Sequence, residues 1–359
     1  EISACLVGSE MCIRDSVIIL RIFVRKIARR RIKNSRQSDS FASDFSYLCN
    51  HKVINYFADS NMNIILFSRM STSLRPEFLR QIIGLMSDMG FDWCANEELA
   101  HELERLGICR RSQIKSYALT VGPQPQPSTM VCIGGDGTIL EGIRRLEGEP
   151  VPVIGLNTGR LGFLACAPGD RAEEVFASIR DGRIDVQERS ILHIEHDANV
   201  TMQWPYAVNE FAIQRHGASM ISVEAYVDRQ MVATYHGDGV LLSTPTGSTA
   251  YSLSVGGPVV APTCSCLVIS PLAPHNLTMR PVVIPDSSQV TFRIKSRQPY
   301  AFVSLDNTAY RVREGSVFTV KKSATKIFLA QPQNISFYDT LREKMMWGMD
   351  GRDQKTTRE

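Results

Sequence analysis

Met130-Val131-Cys132-Ile133-Gly134-Gly135-Asp136-Gly137-Thr138 decides how this chain is read. Its first four residues are apolar without alternation, which spells a short strand buried on both faces. The glycines then let the backbone turn sharply and approach a ligand closely. A helix is expected from about Ile139 to Leu146. Val153 to Leu156 is a further buried strand, leading into Asn157-Thr158-Gly159-Arg160-Leu161-Gly162-Phe163. Upstream, Ile64 to Phe67 reads as a strand and Leu74 to Met89 has helical spacing, stopped by Gly90. Glu97 to Leu106 reads as a second helix, and Pro123 to Pro127 as a stiff connector. Strand–helix alternation of this kind predicts a doubly wound α/β domain.

Downstream, Glu173 to Arg180 is expected to be helical, and after Arg183 the pattern changes. Strand-like runs take over at Leu192–Glu195, Ala207–Gln214, Ser222–Val227, Gln230–Tyr235, Val290–Ile294, Ala301–Leu305 and Val317–Lys321. They predict a second, largely β domain, so the fold class is α/β + β. Tyr338 to Met346 reads as a short helix.

With 359 residues, 43% hydrophobic and 21% charged, the chain is neither a disulfide scaffold, a collagen nor a disordered polymer. No window approaches 18 consecutive apolar residues, so no membrane-spanning helix is expected. The net charge of +3 divides unevenly: residues 1–61 carry +4 and the remainder −1. The body of the chain therefore advertises no nucleic-acid partner. Nine cysteines are scattered without a CxxC pair or clustered histidines, which points to free thiols in a reducing cytoplasm.

Residues 1–61 look foreign to the fold. Val17 to Ile27, followed by Arg29, Arg30, Arg31 and Lys33, reads as a basic amphipathic helix or a targeting segment. The opening string EISACLVGSEMCIRDS also resembles a translated sequencing adapter, in which case the natural start is Met62. The segment is expected to be no domain of the protein.

Three further segments can carry chemistry beside Gly134-Gly135-Asp136-Gly137-Thr138. In that loop, backbone N–H groups at a helix start can hold phosphate oxygens. An Asp among phosphates is repelled unless it takes a proton, holds a metal or binds a hydroxyl. A tight turn with Asp136 as helix N-cap is the plainer reading. The loop fits neither the GxGxxG nor the GxxxxGK pattern. Asn209-Glu210 sits in an apolar run, where an amide beside a carboxylate needs partners. Ligand hydroxyls or a base edge would serve, as would a strand-end cap. Gly237 to Pro258 is dense in hydroxyls, glycines and prolines, with an aromatic inside it. Ser304-Leu305-Asp306-Asn307 taken alone reads as an Asx turn.

Together these segments resemble the bacterial-type NAD kinases, within a larger group whose GGDG loop is shared with diacylglycerol kinases and 6-phosphofructokinases. The stretch STPTGSTAYSLS, Ser243 to Ser254, is the most specific of them. Pro274 to Pro285 looks like the Bacteroidetes-like members. The resemblance implies phosphorylation of the adenosine ribose 2′-hydroxyl of NAD by ATP, with Mg²⁺ bridging the ATP phosphates and no metal ligand assigned among the side chains. It implies homodimers or homotetramers. It also implies a division into 62–168 with residues 327–348 packing back on it, and a β-rich 169–326, leaving 349–359 as a disordered tail.

By that resemblance Asp136 matches the proton acceptor and Gly137 contacts the same ribose, while Gly134, Gly135 and Thr138 complete the phosphate loop. Phe163 lies against the adenosine, and Asn209 and Glu210 hold adenine and ribose groups. Asp238 and Ala273 recognise the nicotinamide end. Thr249, Ala250, Tyr251, Ser252, Leu253 and Ser254 wall the adenine side, with Tyr251 stacking, and Asp306 lies near the nucleotide. His236 stands where many members carry an Arg that holds ligand phosphate, and Phe67-Ser68-Arg69 lacks a glycine expected there. A lipid or sphingoid kinase of the same group would need an apolar acyl pocket, where Ser243 to Ser254 offers a polar wall. A non-catalytic NAD-binding regulator is the third reading.

Overall fold

Ile64 and Leu66 turn to one face of a strand and Ile65 and Phe67 to the other, and all four are buried. A strand covered on both faces must have layers above and below it, and this one does. The computed structural model describes residues 63–69, 74–117, 128–159, 162–165, 167–333 and 335–347. The expectations for 1–61, Pro123 to Pro127, Arg160, Leu161 and the 349–359 tail lie outside these residues.

The strands run β1 Asn63–Phe67, β2 Asp92–Asn96, β3 Lys115–Tyr117, β4 Ser128–Ile133, β5 Val153–Asn157, β6 Ala167–Pro168 and β7 Ile184–Arg189. They continue with β8 Leu192–His196, β9 Tyr206–Ala207, β10 Glu210–Arg215, β11 Ile221–Val227, β12 Gln230–Gly237, β13 Gly239–Ser243 and β14 Cys266–Leu272. The last are β15 Val282–Pro285, β16 Val290–Ser296, β17 Tyr300–Leu305, β18 Thr308–Arg313, β19 Val317–Lys322 and β20 Ile327–Pro332. Helices are α1 Pro76–Asp88, α2 Glu97–Arg105, α3 Asp136–Arg145, α4 Ala172–Arg180, α5 Tyr251–Ser254 and α6 Phe337–Met345.

The first sheet is ordered β3-β2-β1-β4-β5-β20-β7, with β6 beside β5. Its pairs are parallel except β20 with β7. Helices α1, α2 and α4 bury Leu79, Ile82, Leu99, Phe176 and Ile179 against Ile64, Val131 and Ile154 on one face. On the other face α3 buries Ile139 and Ile143 against Ile65, Met130 and Val153, joined there by Ile191 and Val208. Fully burying one such aliphatic side chain stabilises the fold by about 1.5–3 kcal/mol. Helix α4 and β7 belong to this layer, because Val175, Phe176 and Ile179 share its core. It therefore runs past the expected boundary at 168.

Two antiparallel sheets make up the β-rich part, one ordered β15-β14-β13-β10-β17-β18 and the other β12-β11-β16-β19-β8-β9. Phe211, Val240, Ile269 and Val303 of the first share one core with Ile194, Val223, Phe292 and Phe318 of the second. Phe211 sits at the centre, its ring centroid 5.3 Å from that of Phe318 and 6.0 Å from that of Phe292.

The run Ala207 to Gln214, expected to be one strand, is broken. Strand β9 pairs with β8, whereas β10 pairs with β13 and β17 in the other sheet. The chain crosses between sheets at Val208-Asn209, and that crossing places Asn209 just before β10 and Glu210 at its first position, at a sheet end rather than in the middle of a strand.

Candidate active site

The turn at Gly134-Gly135 is followed directly by α3, which begins at Asp136. Gly135 occupies the N-cap position and no side chain caps it. This corrects the reading of Asp136 as N-cap, and the helix starts ahead of Ile139. The Asp136 carboxylate instead reaches across to the loop after β5. Its Oδ2 accepts from Phe163 N at 2.7 Å, and its Oδ1 from Leu164 N and Ala165 N, both at 3.1 Å. A Cβ at Gly162 would sit 1.7 Å from Asp136 Oδ1, so only glycine permits this clasp. A carboxylate offers about four lone-pair sites, so Asp136 keeps room for one further donor on Oδ2. Around Gly135 the space is open, and near Gly137 only the Arg69 guanidinium approaches. Thr138 is buried and donates its N–H to Gly135 O at 2.8 Å.

The sheet crossing is held by another carboxylate. Asp306 lies in the β17–β18 turn at φ +50° and accepts from Val208 N at 2.9 Å, Asn209 N at 2.7 Å and Glu210 N at 3.1 Å. It is no local Asx turn: its partners stand 96–98 residues earlier. Thr244 braces the same loop, its Oγ1 donating to Val208 O at 2.7 Å and its N–H to Asn209 O at 2.9 Å. A Cβ on Gly247 would meet Asn209 O at 2.1 Å, which explains a glycine in this turn.

Held this way, Asn209 Oδ1 and Glu210 Oε2 are buried without a hydrogen-bond partner. Two orphaned acceptors side by side are costly unless a ligand supplies donors. Burial, and next the charge of Asp306, push the Glu210 carboxyl up to about 8, against a hydrogen bond from the Tyr251 backbone. Burial raises Asp306 to about 6, against its three N–H bonds.

Of the other expected site residues, Tyr251 lies beside Glu210, to which its backbone donates. Thr249 closes a single 3-10 turn and donates to Thr246 O at 3.3 Å. Ala250 links that turn to α5, which carries Tyr251, Ser252, Leu253 and Ser254. Tyr251 is 37% exposed, and burial with the charges of Asp238 and Glu210 raises its hydroxyl. Ser252 is buried with its hydroxyl 3.3 Å from that of Ser270. Asp238 pairs with Arg215 at 2.6 Å, a partner the sequence reading missed. Ala273 sits at φ +40° with its carbonyl against Gly237. His236 is exposed on β12, its Nδ1 2.8 Å from Ser222 Oγ. Phe163 carries the Lys344 ammonium of α6 over its ring at 4.3 Å. Its cavity is also lined by Leu164, Thr246, Thr249 and Arg189.

Residues 80–184 match the family model described as the ATP-NAD kinase N-terminal domain, and residues 208–331 the one described as the ATP-NAD kinase C-terminal domain. Over 295 residues the chain is 40% identical to the NAD kinase of Flavobacterium johnsoniae, covering 81% of this chain and 100% of that one. The chain belongs to the NAD kinase family. This kinase is also 41% identical over 229 residues to the NAD kinase of Cytophaga hutchinsonii, 64% of this chain and 78% of that one. Its fold matches the crystal structure of yeast NADH kinase complexed with NADH, at TM-score 0.69 and 22% identity, covering 81% and 89% of the two chains.

The Glu210–Asp306 pair gives the kinase a pH-dependent stability. Both carboxyls are raised, so the folded chain keeps protons that the unfolded chain releases near pH 4. The contribution of this pair is then full at low pH and falls as pH rises toward about 8. The pair titrates together, so the slope belongs to both groups. Glu210→Gln is expected to flatten the upper part of that slope. Its Tm should exceed that of the wild type by several degrees near pH 8 and match it near pH 5. Thermal unfolding across that range checks this, and parallel curves for the two proteins would remove Glu210 as the source.

Proposed function

We propose that the kinase transfers the γ-phosphoryl group of ATP to the 2′-hydroxyl of the adenosine ribose of NAD, giving NADP and ADP. The observation that carries this reading is the pair of orphaned acceptors, Asn209 Oδ1 and Glu210 Oε2, at the sheet crossing. They await hydroxyl and amino donors, which an adenosine presents. The cavity under Phe163, Thr246 and Thr249 would take the adenine ring, with Ala250 to Ser254 beside it. Asp238, fixed by Arg215, and Ala273 would meet the nicotinamide end.

In this mechanism the 2′-hydroxyl donates to the free lone pair of Asp136 Oδ2. As the ribose oxygen bonds to the γ-phosphorus, the bond from phosphorus to the ADP oxygen breaks, and the hydroxyl proton passes to Asp136. Such transfers depend on in-line placement and charge neutralisation more than on covalent chemistry. The open space at Gly135, with the Arg69 guanidinium near Gly137, leaves room for phosphates at the start of α3. Among the described residues no group of three or more His, Cys, Asp or Glu forms a metal cage. A Mg²⁺ ion accompanying ATP would be held chiefly by phosphate oxygens and water, where it neutralises charge.

The five cysteines among the described residues are free thiols, which suits a cytoplasmic enzyme, and no described helix is long and apolar enough to cross a membrane. Assembly as a homodimer or homotetramer would cover exposed Val282 and Val283 on edge strand β15. The test is NADP formation by the full chain with NAD, ATP and Mg²⁺. NADP should accumulate in step with ADP. A folded, NAD-binding protein that forms none would overturn the reading, and labelled transfer to a lipid would replace it.

A further inference from the structure

Arg189 ends β7 and is only 8% exposed, yet it lines the same cavity as Phe163, Thr246 and Thr249. One terminal nitrogen, Nη2, donates to Gln187 Oε1 at 2.6 Å. Its Nε is buried with no hydrogen-bond partner. Burial lowers the guanidinium to about 10, which still leaves it charged at neutral pH. The charge of nearby Asp185 favours the cation without reaching its Nε. Glu188 pairs with Lys326 at 2.9 Å, and Asp185 accepts from Gln187 Nε2 at 2.7 Å. No residue lining the cavity is acidic.

A buried cation with an idle donor requires an acceptor. The cavity around it is made of ring faces, aliphatic carbons, the hydroxyls of Thr246, Thr249 and Thr340, and the Gln331 amide, whose Nε2 donates to Ile335 O at 2.8 Å. That lining suits a flat heteroaromatic ring, and the lone pair such a ring offers an N–H donor is a ring nitrogen. We propose that Arg189 is a specificity-determining residue for the nucleobase, its Nε–H donating to a ring nitrogen of the adenine held under Phe163. This rests on the reading above that the cavity takes the adenosine end of NAD.

The test uses the full chain and its Arg189→Met variant. The substrates are NAD and three analogues in which adenine N1, N3 or N7 is replaced by C–H, each at saturating ATP. In the wild type, one analogue is expected to show a KM raised about 10- to 100-fold, the loss of a charged hydrogen bond, with kcat changed far less. In Arg189→Met the KM for NAD should rise by a similar factor, and that analogue should no longer differ from NAD. Equal analogue patterns in both proteins, or no sensitive analogue in the wild type, would overturn the proposal and leave Arg189 a structural cation or a water holder.

Thr249→Val and Phe163→Leu separate this failure from failure of the underlying reading. If neither raises the KM for NAD, the base lies elsewhere. If both do while Arg189→Met leaves the pattern intact, only the role of Arg189 is lost. Should Arg189→Met not fold, a crystal structure of the NAD complex decides. Arg189 Nε within about 3.2 Å of a ring nitrogen supports the assignment, and any longer separation overturns it.

Discussion

Asp136→Asn should lower kcat for NADP formation by about 10²–10⁴-fold, the range of a lost general base. The structure gives the substitution two effects. An amide cannot take the hydroxyl proton. It also presents an NH₂ group where the carboxylate accepts from Phe163 N, Leu164 N and Ala165 N. At least one of those N–H groups would then face a donor. The loop carrying Phe163 would loosen, so KM for NAD should rise as well. The split between the two constants separates the effects. Loss of the base lowers kcat, whereas a loosened loop alone raises KM. A variant that retains full turnover would remove Asp136 from the chemistry and leave it as the clasp of the loop.

Asp306→Ala should be the most destabilising single change near the site. It deletes the acceptor shared by three consecutive backbone N–H groups at the sheet crossing. Each buried donor left unsatisfied costs about 1–3 kcal/mol, against a total stability of about 5–15 kcal/mol for a typical domain. A large fall in Tm is expected, measured by calorimetry or circular dichroism. Asp306→Asn keeps one acceptor oxygen and should recover part of it. That milder variant also reports on function. With the neighbouring charge gone, Glu210 loses one of the causes that raise it, so the pH at which NAD binding changes should move down. Asn209 and Glu210 would be held less firmly, and KM for NAD should suffer more than kcat. Unchanged Tm and KM in both variants would show that the crossing is held by Thr244 and its neighbours instead.

The α/β layer was legible because Ile64–Phe67, Met130–Ile133 and Val153–Leu156 are short unbroken apolar runs between glycines and helical spacing. Strand β2, Asp-Trp-Cys-Ala-Asn, carries no such signal, because its burial comes from its neighbours rather than its own pattern. Strands β13 and β14 were hidden for other reasons. Gly239–Ser243 merges into the hydroxyl-rich segment that follows it, and Cys266–Leu272 contains a proline that argues against a strand. At the site, Asp136, Asn209 and Glu210 stood out because polar groups in apolar surroundings need partners. The partner of each did not. Phe163 to Ala165 are 27–29 residues from Asp136, and the crossing is 96–98 residues from Asp306. Spacing along a chain carries no trace of such closures. Arg189 escaped notice because an arginine at a strand end reads as a solvated charge until the cavity behind it is known.

Strand β20 lies between β5 and β7, although residues 158–326 separate it from β5 in the chain. During synthesis the ribosome releases both neighbours long before the strand that joins them. Until Ile327 to Pro332 emerge, β5 lacks one neighbour and β7 lacks β20. A nascent α/β layer in that state presents open edges to other chains. The whole β sandwich is therefore threaded out before the first layer can close. Translation that stops short of residue 327 would leave an incomplete sheet rather than a smaller working module, so the two halves of this kinase reach their final form as one late event.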